Sequence, residues 1–422
     1  MQLGLQRTPI LHLSLVVGSD LVDSAGGRLG RVDDLIVRLG QEEYPPVTGI
    51  VATVAGRQVF VPAELIADLE NGRVTLRQVQ LDLQPFRRRP QEILLKKDVL
   101  DRQLINVEGA RLVRSNEIEI ARLEGWWRVV GVDVGPRGLA RRLLPRALSG
   151  RIEAGSFLDW ASVEPFTGHV PTVRLRVPHP KLARLHPAEL ADLVEAASHS
   201  EGEEIIDAVH RDPELEADLF EELESQHQLE FIEERSDAEV AELLARMEAD
   251  DAADLIGDLP GERHEAVLEL LPPTQRRRIR TLAGYDEAGA GGLMSPEFVV
   301  LFTQATRQEA LDRIRASQAP VETVTSVFVV NTARRFQNQV TLVHLLRADA
   351  ELRVGEIQGA TQRVRVDADL EEIARLMTDF DLTIVPVVDE EERLLGVISV
   401  DDVLEVVLPR SWRRRFGVLG DD

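Results

Sequence analysis

The sequence predicts a multidomain α+β chain: small β-barrels at the amino terminus, an α-helical solenoid in the middle and a tandem α/β pair at the carboxyl terminus. Three observations lead there. Short β-like runs broken by glycines fill the first part, Leu- and Ala-rich runs with helical spacing and dense carboxylates fill the middle, and strand and helix patterns alternate after that. A length of 422 residues suffices for two to four domains, each with its own core.

Composition narrows the function classes. The absence of cysteine removes disulfides, thiolate metal sites and cysteine nucleophiles, and agrees with a reducing compartment. No run of eighteen apolar residues and no signal-peptide pattern occurs, so a soluble cytoplasmic protein is expected, with a peripheral place at the inner membrane face as a variant of it. The formal charge of −24 is uneven: +3 over residues 1–180, −18 over 181–280 and −9 over 281–422. An acidic middle disfavours nucleic acid and suits cations or basic partners, although acidic helices are often only solvated faces.

In the first part, Leu13–Val17, Arg31–Leu39, Val47–Ala52 and Arg57–Pro62 have strand character, with Gly18, Gly26, Gly27, Gly30, Gly40, Gly49 and Gly56 as turns. The pattern returns about eighty residues later: Asp20–Asp23 with Gly27–Val32 matches Asp98–Asp101 with Gly109–Arg114, and Val47–Val51 matches Arg128–Val132. Two barrels, or one intimate pair, follow. These runs, with Phe60-Val61-Pro62-Ala63-Glu64-Leu65-Ile66, resemble the PRC-barrel family, whose members the resemblance marks as adaptor modules without shared catalytic residues. Gly138–Arg142 stands where the second copy should have another strand. Arg87–Arg89 and Arg141-Arg142 are best read as solvated linker charge, and Trp126-Trp127 as core or interface packing. The expected divisions are 1–85 and 86–145 for the repeats and 146–180 for a proline-bearing linker.

Residues 181–292 read as the solenoid. Helical segments are expected from Pro187, then Glu204–His210, Pro213–Leu223, Leu229–Arg235, Asp237–Met247, Ala249–Leu259, Glu262–Leu270 and Thr274–Leu282, with Asp237, Asp250 and Thr274 as N-caps. Each is too short to stand alone and must pack on its neighbours. Asp250 and Asp254 lie one turn apart on one face, a mild cost if solvated and a ligand pair if a cation sits between them.

The remainder reads as two β-α-β units, 293–350 and 351–410, followed by a basic tail, 411–422. In the second, strand Arg363–Val366, helix Asp369–Phe380, strands Thr383–Val388 and Leu395–Val400 and helix Asp401–Leu408 follow in order. Asp401 and Asp402 open that last helix, where the dipole favours acids, and Glu405 shares a face with at least one of them.

Leu185–Leu193, Asp250–Ile256 and Ala290-Gly291-Gly292-Leu293-Met294 resemble the cytosolic N domain of the MgtE magnesium transporter family, and residues 369–408, Val385–Val407 most of all, resemble the second CBS domain of the same family. The resemblance implies magnesium bound between helical and CBS domains. It assigns Asp218, Asp250, Asp254 and the Gly292 carbonyl on one side, and Asp369, Glu371, Asp381, Asp402 and Glu405 on the other. Asp218 and Glu405 depart from the usual residue while remaining oxygen ligands. The resemblance also implies a homodimer through CBS domains. Gly396–Asp402 fits the CBS nucleotide pattern, in which Ser399 reaches phosphate and Asp402 ribose of ATP or AMP; in the first α/β unit Asn338 replaces the glycine and His344 the aspartate, so that unit reads as degenerate and a nucleotide is expected at one site only.

The expected function is therefore a regulatory sensor of a divalent cation, magnesium or manganese, acting on a separate metal transporter in the membrane. The alternatives are an adenine-nucleotide sensor and a metal-indifferent scaffold. No enzyme is expected: the nine histidines show no His-x-x-x-His pair, and no Gly-rich phosphate loop or Gly-x-Ser-x-Gly elbow occurs. The tail, with Trp412 among arginines, could dock on an anionic surface.

Overall fold

Two glycines show the internal repetition most plainly. A Cβ on Gly49 would stand 2.5 Å from the Phe60 ring and 2.6 Å from the Val61 oxygen; one on Gly131 would stand 2.1 Å from the Phe157 ring and 2.7 Å from the Leu158 oxygen. Both sit where a strand is crossed closely by the next: β4 (Val47–Val54) by β5 (Arg57–Pro62), and β12 (Trp126–Asp133) by β13 (Leu158–Asp159). The computed structural model describes residues 10–40, 42–70, 72–78, 85–136, 157–170, 179–285 and 289–408, which divide into two units, Met1–Leu215 and Glu216–Asp422.

In the first unit the two repeats exchange their leading segments. β1 (Leu11–His12) opens the first copy but pairs with β11 (Glu117–Leu123) of the second, and β8 (Glu92–Leu94) opens the second but pairs with β3 (Arg28–Arg38) of the first. A short helical turn follows each, α1 (Leu13–Val16) and the π-turn Leu95–Val99. A carboxylate of the opposite copy caps each turn. Asp34 accepts from the Lys96 and Lys97 amides at 2.8 and 3.1 Å, and Glu117 accepts from the Ser14 amide at 3.1 Å and from its hydroxyl. Burial raises both carboxyls, Asp34 to about 6. One apolar core joins Leu13, Leu35 and Ile50 to Leu95, Ile118 and Val129, so the repeats form one intimate pair.

The expected barrels are open sheets among the described residues. The larger runs β5-β4-β3-β2-β7-β6, with β2 Asp20–Val22, β6 Ile66–Glu70 and β7 Arg73–Leu76. The expected linker also needs correction. Residues 158–165 form β13, which pairs with β12 as β5 pairs with β4 and so supplies the strand missing after the second copy, then a 3-10 turn and β14 (Val163–Pro165), which pairs with β9 (Gln103–Asn106). Of the basic clusters, Arg88 pairs with buried Asp98 at 3.0 Å, and Arg89 pairs with Glu92 at 2.8 Å while lying over Phe60. Trp127 packs on the core, whereas Trp126 is exposed. Gly138–Arg142 and the tail 411–422 lie outside the described residues.

Helices α2 (Pro187–Ala196) and α3 (His199–Val209) complete the first unit, and α4 (Pro213–Glu222) crosses the division. The second unit continues with α5 (Ser225–Glu233), α6 (Asp237–Leu244), α7 (Ala249–Asp258), α8 (Gly261–Leu270) and α9 (Pro273–Leu282). Alternate helices pack, α6 on α8 and α7 on α9, the stacking of a solenoid. The expected caps shift. Ser236, not Asp237, caps α6 through a box with Glu239, Glu248 precedes α7, and Pro272 precedes α9.

The two α/β units share one plan. In the sheets β15 (Val299–Phe302), β16 (Ser326–Val330), β17 (Phe336–Thr341) and β18 (Val364–Arg365), β19 (Ile384–Val388), β20 (Leu394–Ser399), the central strand runs parallel to the first and antiparallel to the last. Phe328 and Phe336 of the first unit pack with Ile384, Val388 and Val397 of the second. Helices α10 (Arg307–Arg315) and α11 (Leu342–Arg347) belong to the first, α12 (Leu370–Phe380) and α13 (Val400–Val407) to the second. Among the described residues no helix is long and apolar enough to cross a membrane.

Candidate metal centre

Helix α7 buries Ala249, Ala252, Ala253, Leu255 and Ile256, and this apolar face seats the acids of its first turn in a dry setting. The Asp250 Oδ1 atom is buried and has no hydrogen-bond partner. Burial pushes the Asp250 carboxyl up to about 7, and Asp402, Asp254 and Glu221 push in the same direction. Glu248 rises to about 8 through burial and then Asp250, Glu221, Asp402 and Glu322. Asp251 is held well above its ordinary range, first by burial and then by Asp250, Glu221, Glu248 and Glu405.

The opposing acid comes from α13. Ser399 caps that helix by a reciprocal pair: its hydroxyl accepts the Asp402 amide at 3.2 Å, and Asp402 Oδ2 accepts the Ser399 amide at 2.8 Å. Burial still raises Asp402 to about 6, with Asp401 and Glu405 adding to it. From α4, Glu221 Oε1 accepts the Glu248 amide at 2.7 Å, tying the end of one helix to the start of another. The strongest charge influences on Glu248, Asp250, Asp251 and Asp402 come from carboxylates.

An all-oxygen donor set with an unpaired buried carboxylate oxygen fits a hard divalent cation. Among the described residues no three of these oxygens lie within 4.8 Å of one another. Bound there, the ion would neutralise the cluster and keep part of its water shell.

The nine metal residues expected from sequence fall into separate places. Asp250, Asp254, Asp402 and Glu405 come together. Asp218 is exposed on α4, and Glu221, one turn later on that helix, acts on Asp250. Gly292 ends a segment whose Ala290 and Gly291 amides donate to the Ala368 and Val366 carbonyls, which sets it near Asp369. Asp369 caps α12 by accepting the Glu372 amide at 2.9 Å, and Glu371 pairs with Arg375 on the same helix. Asp381 ends α12 in the left-handed region at φ 54°, about 16 Å from its start, so it cannot share an ion with Asp369. Sequence reasoning missed Glu221, Glu248, Asp251 and Glu322. The adjacency of Glu248 and Asp251 to Asp250 was the available signal; Glu221 and Glu322 join only through tertiary packing.

For a nucleotide, Ser399 is buried in its cap and Asp402 is committed both to that cap and to the acidic cluster. In the first unit Thr341 and His344 make the same cap without a carboxylate.

Residues 185–288 match the family pattern described as the MgtE intracellular N domain, and residues 362–409 match the CBS domain. The magnesium transporter MgtE of Thermus thermophilus is 44% identical over 140 residues, 33% of this chain and 31% of that protein. The magnesium transporter MgtE of Bacillus subtilis is 25% identical over 209 residues, 49% of this chain and 46% of that protein. The chain thus spans less than half the length of these curated relatives. A crystal structure of the cytosolic domain of the Mg2+ channel MgtE in complex with ATP is similar at 33% identity and a TM-score of 0.50, covering 54% of this chain and 92% of that one.

Proposed function

Since the chain belongs to the MgtE family through its N domain and CBS domain, we propose that it senses a divalent cation, magnesium or manganese, and passes that state to a membrane metal transporter. The observation that carries this reading is the unpaired, buried Asp250 Oδ1 among acids from α4, α7 and α13. A cation relieves their repulsion and draws the acidic elements together, which converts ion concentration into shape. The role is regulatory binding rather than catalysis, and it is exercised at the cytoplasmic face. The β module serves as a PRC-barrel-like adaptor. Exposed Val343 and Leu346 of α11, with Leu404, Val406 and Val407 of α13, support a homodimer through the CBS domains.

The test is titration calorimetry with small-angle scattering over millimolar magnesium, on the full chain and on Asp250→Asn/Asp402→Asn. Binding heat and compaction in the first and their loss in the second are expected. Neither heat nor compaction in the first refutes the reading. The ATP complex of the similar cytosolic domain favours a second ligand, an adenine nucleotide at Ser399 and Asp402. Ser399→Ala should then abolish ATP binding.

A further inference from the structure

Away from the acidic cluster, the first unit holds one buried histidine in an unusual setting. His179 is 1% exposed and has a left-handed backbone, φ 43°. Its Nε2 lies 2.7 Å from Glu204 of α3, and its Nδ1 lies 3.6 Å from Glu164 of β14. Phe166 meets the ring edge-on, and Lys181 stands 3.9 Å from Glu164 while donating to the Val163 carbonyl at 3.0 Å. Glu204 does more than hold the imidazole. It accepts the Thr167 amide and hydroxyl at 2.6 and 2.9 Å and the Gly168 amide at 2.8 Å. A single helix side chain thus binds both the loop leaving β14 and His179, ahead of α2.

Helix α3 does not need these contacts for its own integrity, because Ser198 and Glu201 already cap it. Nor is stability the natural account of the charges, since a buried ion triad is often no better than an apolar one of the same volume, while its directional bonds fix register. A buried non-glycine residue at positive φ is a further local cost that the surroundings must enforce. We propose that His179, clamped between Glu164 and Glu204, is an ionic latch that fixes the β module on the first helices of the helical domain in one orientation. The two parts then move as a single body, so a displacement of α3 reaches the adaptor surface undiminished. The latch stands independently of the cation reading, because none of its residues belongs to the acidic cluster.

The lack of cysteine makes the test direct. Spin labels at Glu124→Cys on the β module and Asp207→Cys on α3, both exposed positions of the full chain, report the distance between the two parts. With the latch intact the distance distribution is narrow at neutral pH. It should broaden in Glu204→Gln and in the apolar triple His179→Met/Glu164→Leu/Glu204→Leu, although the triple keeps its unfolding temperature. The charged groups facing His179 are Glu164 and Glu204, with Lys181 behind Glu164; burial opposes the charged imidazole, but the two carboxylates outweigh it and raise the group to about 9. The unsubstituted latch should therefore stay narrow to pH 8 and broaden through pH 9 and above. If Glu204→Gln keeps the narrow distribution, or if the alkaline series leaves it unchanged, the latch is refuted; should the triple fail to fold, these two measurements still decide.

Discussion

Replacing Asp250 by asparagine keeps the shape of the side chain and removes its charge. In the folded chain this carboxyl is displaced from 3.8 to about 7, first by burial and then by Asp402. A raised acid pKa means that the fold penalises the ionised form, so stability is lost as pH rises from about 4 through 7. Above both values the displacement corresponds to about 4 kcal/mol. Because Glu248 and Asp402 are raised as well and relax when one neighbour is neutralised, about half of this, ~2 kcal/mol, should be recovered in Asp250→Asn. For a unit of this size that is a rise of about 4–8 °C in unfolding temperature. The assay is thermal unfolding at pH 8 in chelator and again in millimolar magnesium. Asp250→Asn should be more stable than the parent in chelator and gain much less from magnesium. A variant that is less stable in chelator, with its magnesium gain intact, would show that the carboxylate is a structural group and not a ligand.

Three further outcomes test the fold and its assembly. Gly131→Ala sets a Cβ 2.7 Å from the Leu158 carbonyl oxygen, a backbone atom that cannot swing away, and should lower the unfolding free energy of the first unit, read from its urea transition, by about 1–3 kcal/mol. Asp34, raised to about 6, penalises the fold above that pH and not below 3.8, so Asp34→Asn should flatten the pH dependence of unfolding between pH 4 and 6; an unchanged slope counts against a buried ionised Asp34. If α11 and α13 form a dimer face, Val406→Asp should convert dimer to monomer in sedimentation at fixed magnesium, and a variant that sediments like the parent excludes that face.

The helices were legible because their apolar spacing and their proline stops are local signals. Their starts were less so: at Ser236 and Ser198 the capping box begins one residue or more before the run of helix formers. The strand runs and their duplication were visible, but the exchange of leading segments was not, because Leu11 pairs with Ile120 and Ile93 with Val37 across stretches that no local pattern spans. Proline misled in one place. Pro165 suggested linker, yet β14 is the outer strand of β10-β9-β14, with β10 at Arg111–Arg114, and an edge strand tolerates a residue without an amide hydrogen. At the candidate metal centre, Asp250, Asp254, Asp402 and Glu405 could be named from spacing and resemblance. The raised carboxyls of Glu248 and Asp251 depend on burial, which the sequence does not record.

The two α/β units differ in a way that single substitutions hide. In sequence, Asn338 in place of the glycine at 396 reads as decay of the first unit. In the structure the change is matched across the strand: beside Gly396 lies Met294, and beside Asn338 lies Gly359, where a Cβ would strike the Gln339 oxygen at 2.2 Å. Large and small have traded sides. The pairings agree as well, Ser295 with Val397 and Ala360 with Gln339, so the first unit is repacked and not degraded. What it lacks is charge. Thr341 and His344 repeat the cap of Ser399 and Asp402, but an imidazole stands where the proposed nucleotide site has its carboxylate. Nucleotide titration should therefore saturate at one ATP per chain. A second equivalent site would mean that His344 can replace the carboxylate, and the distinction drawn between the two units would fall.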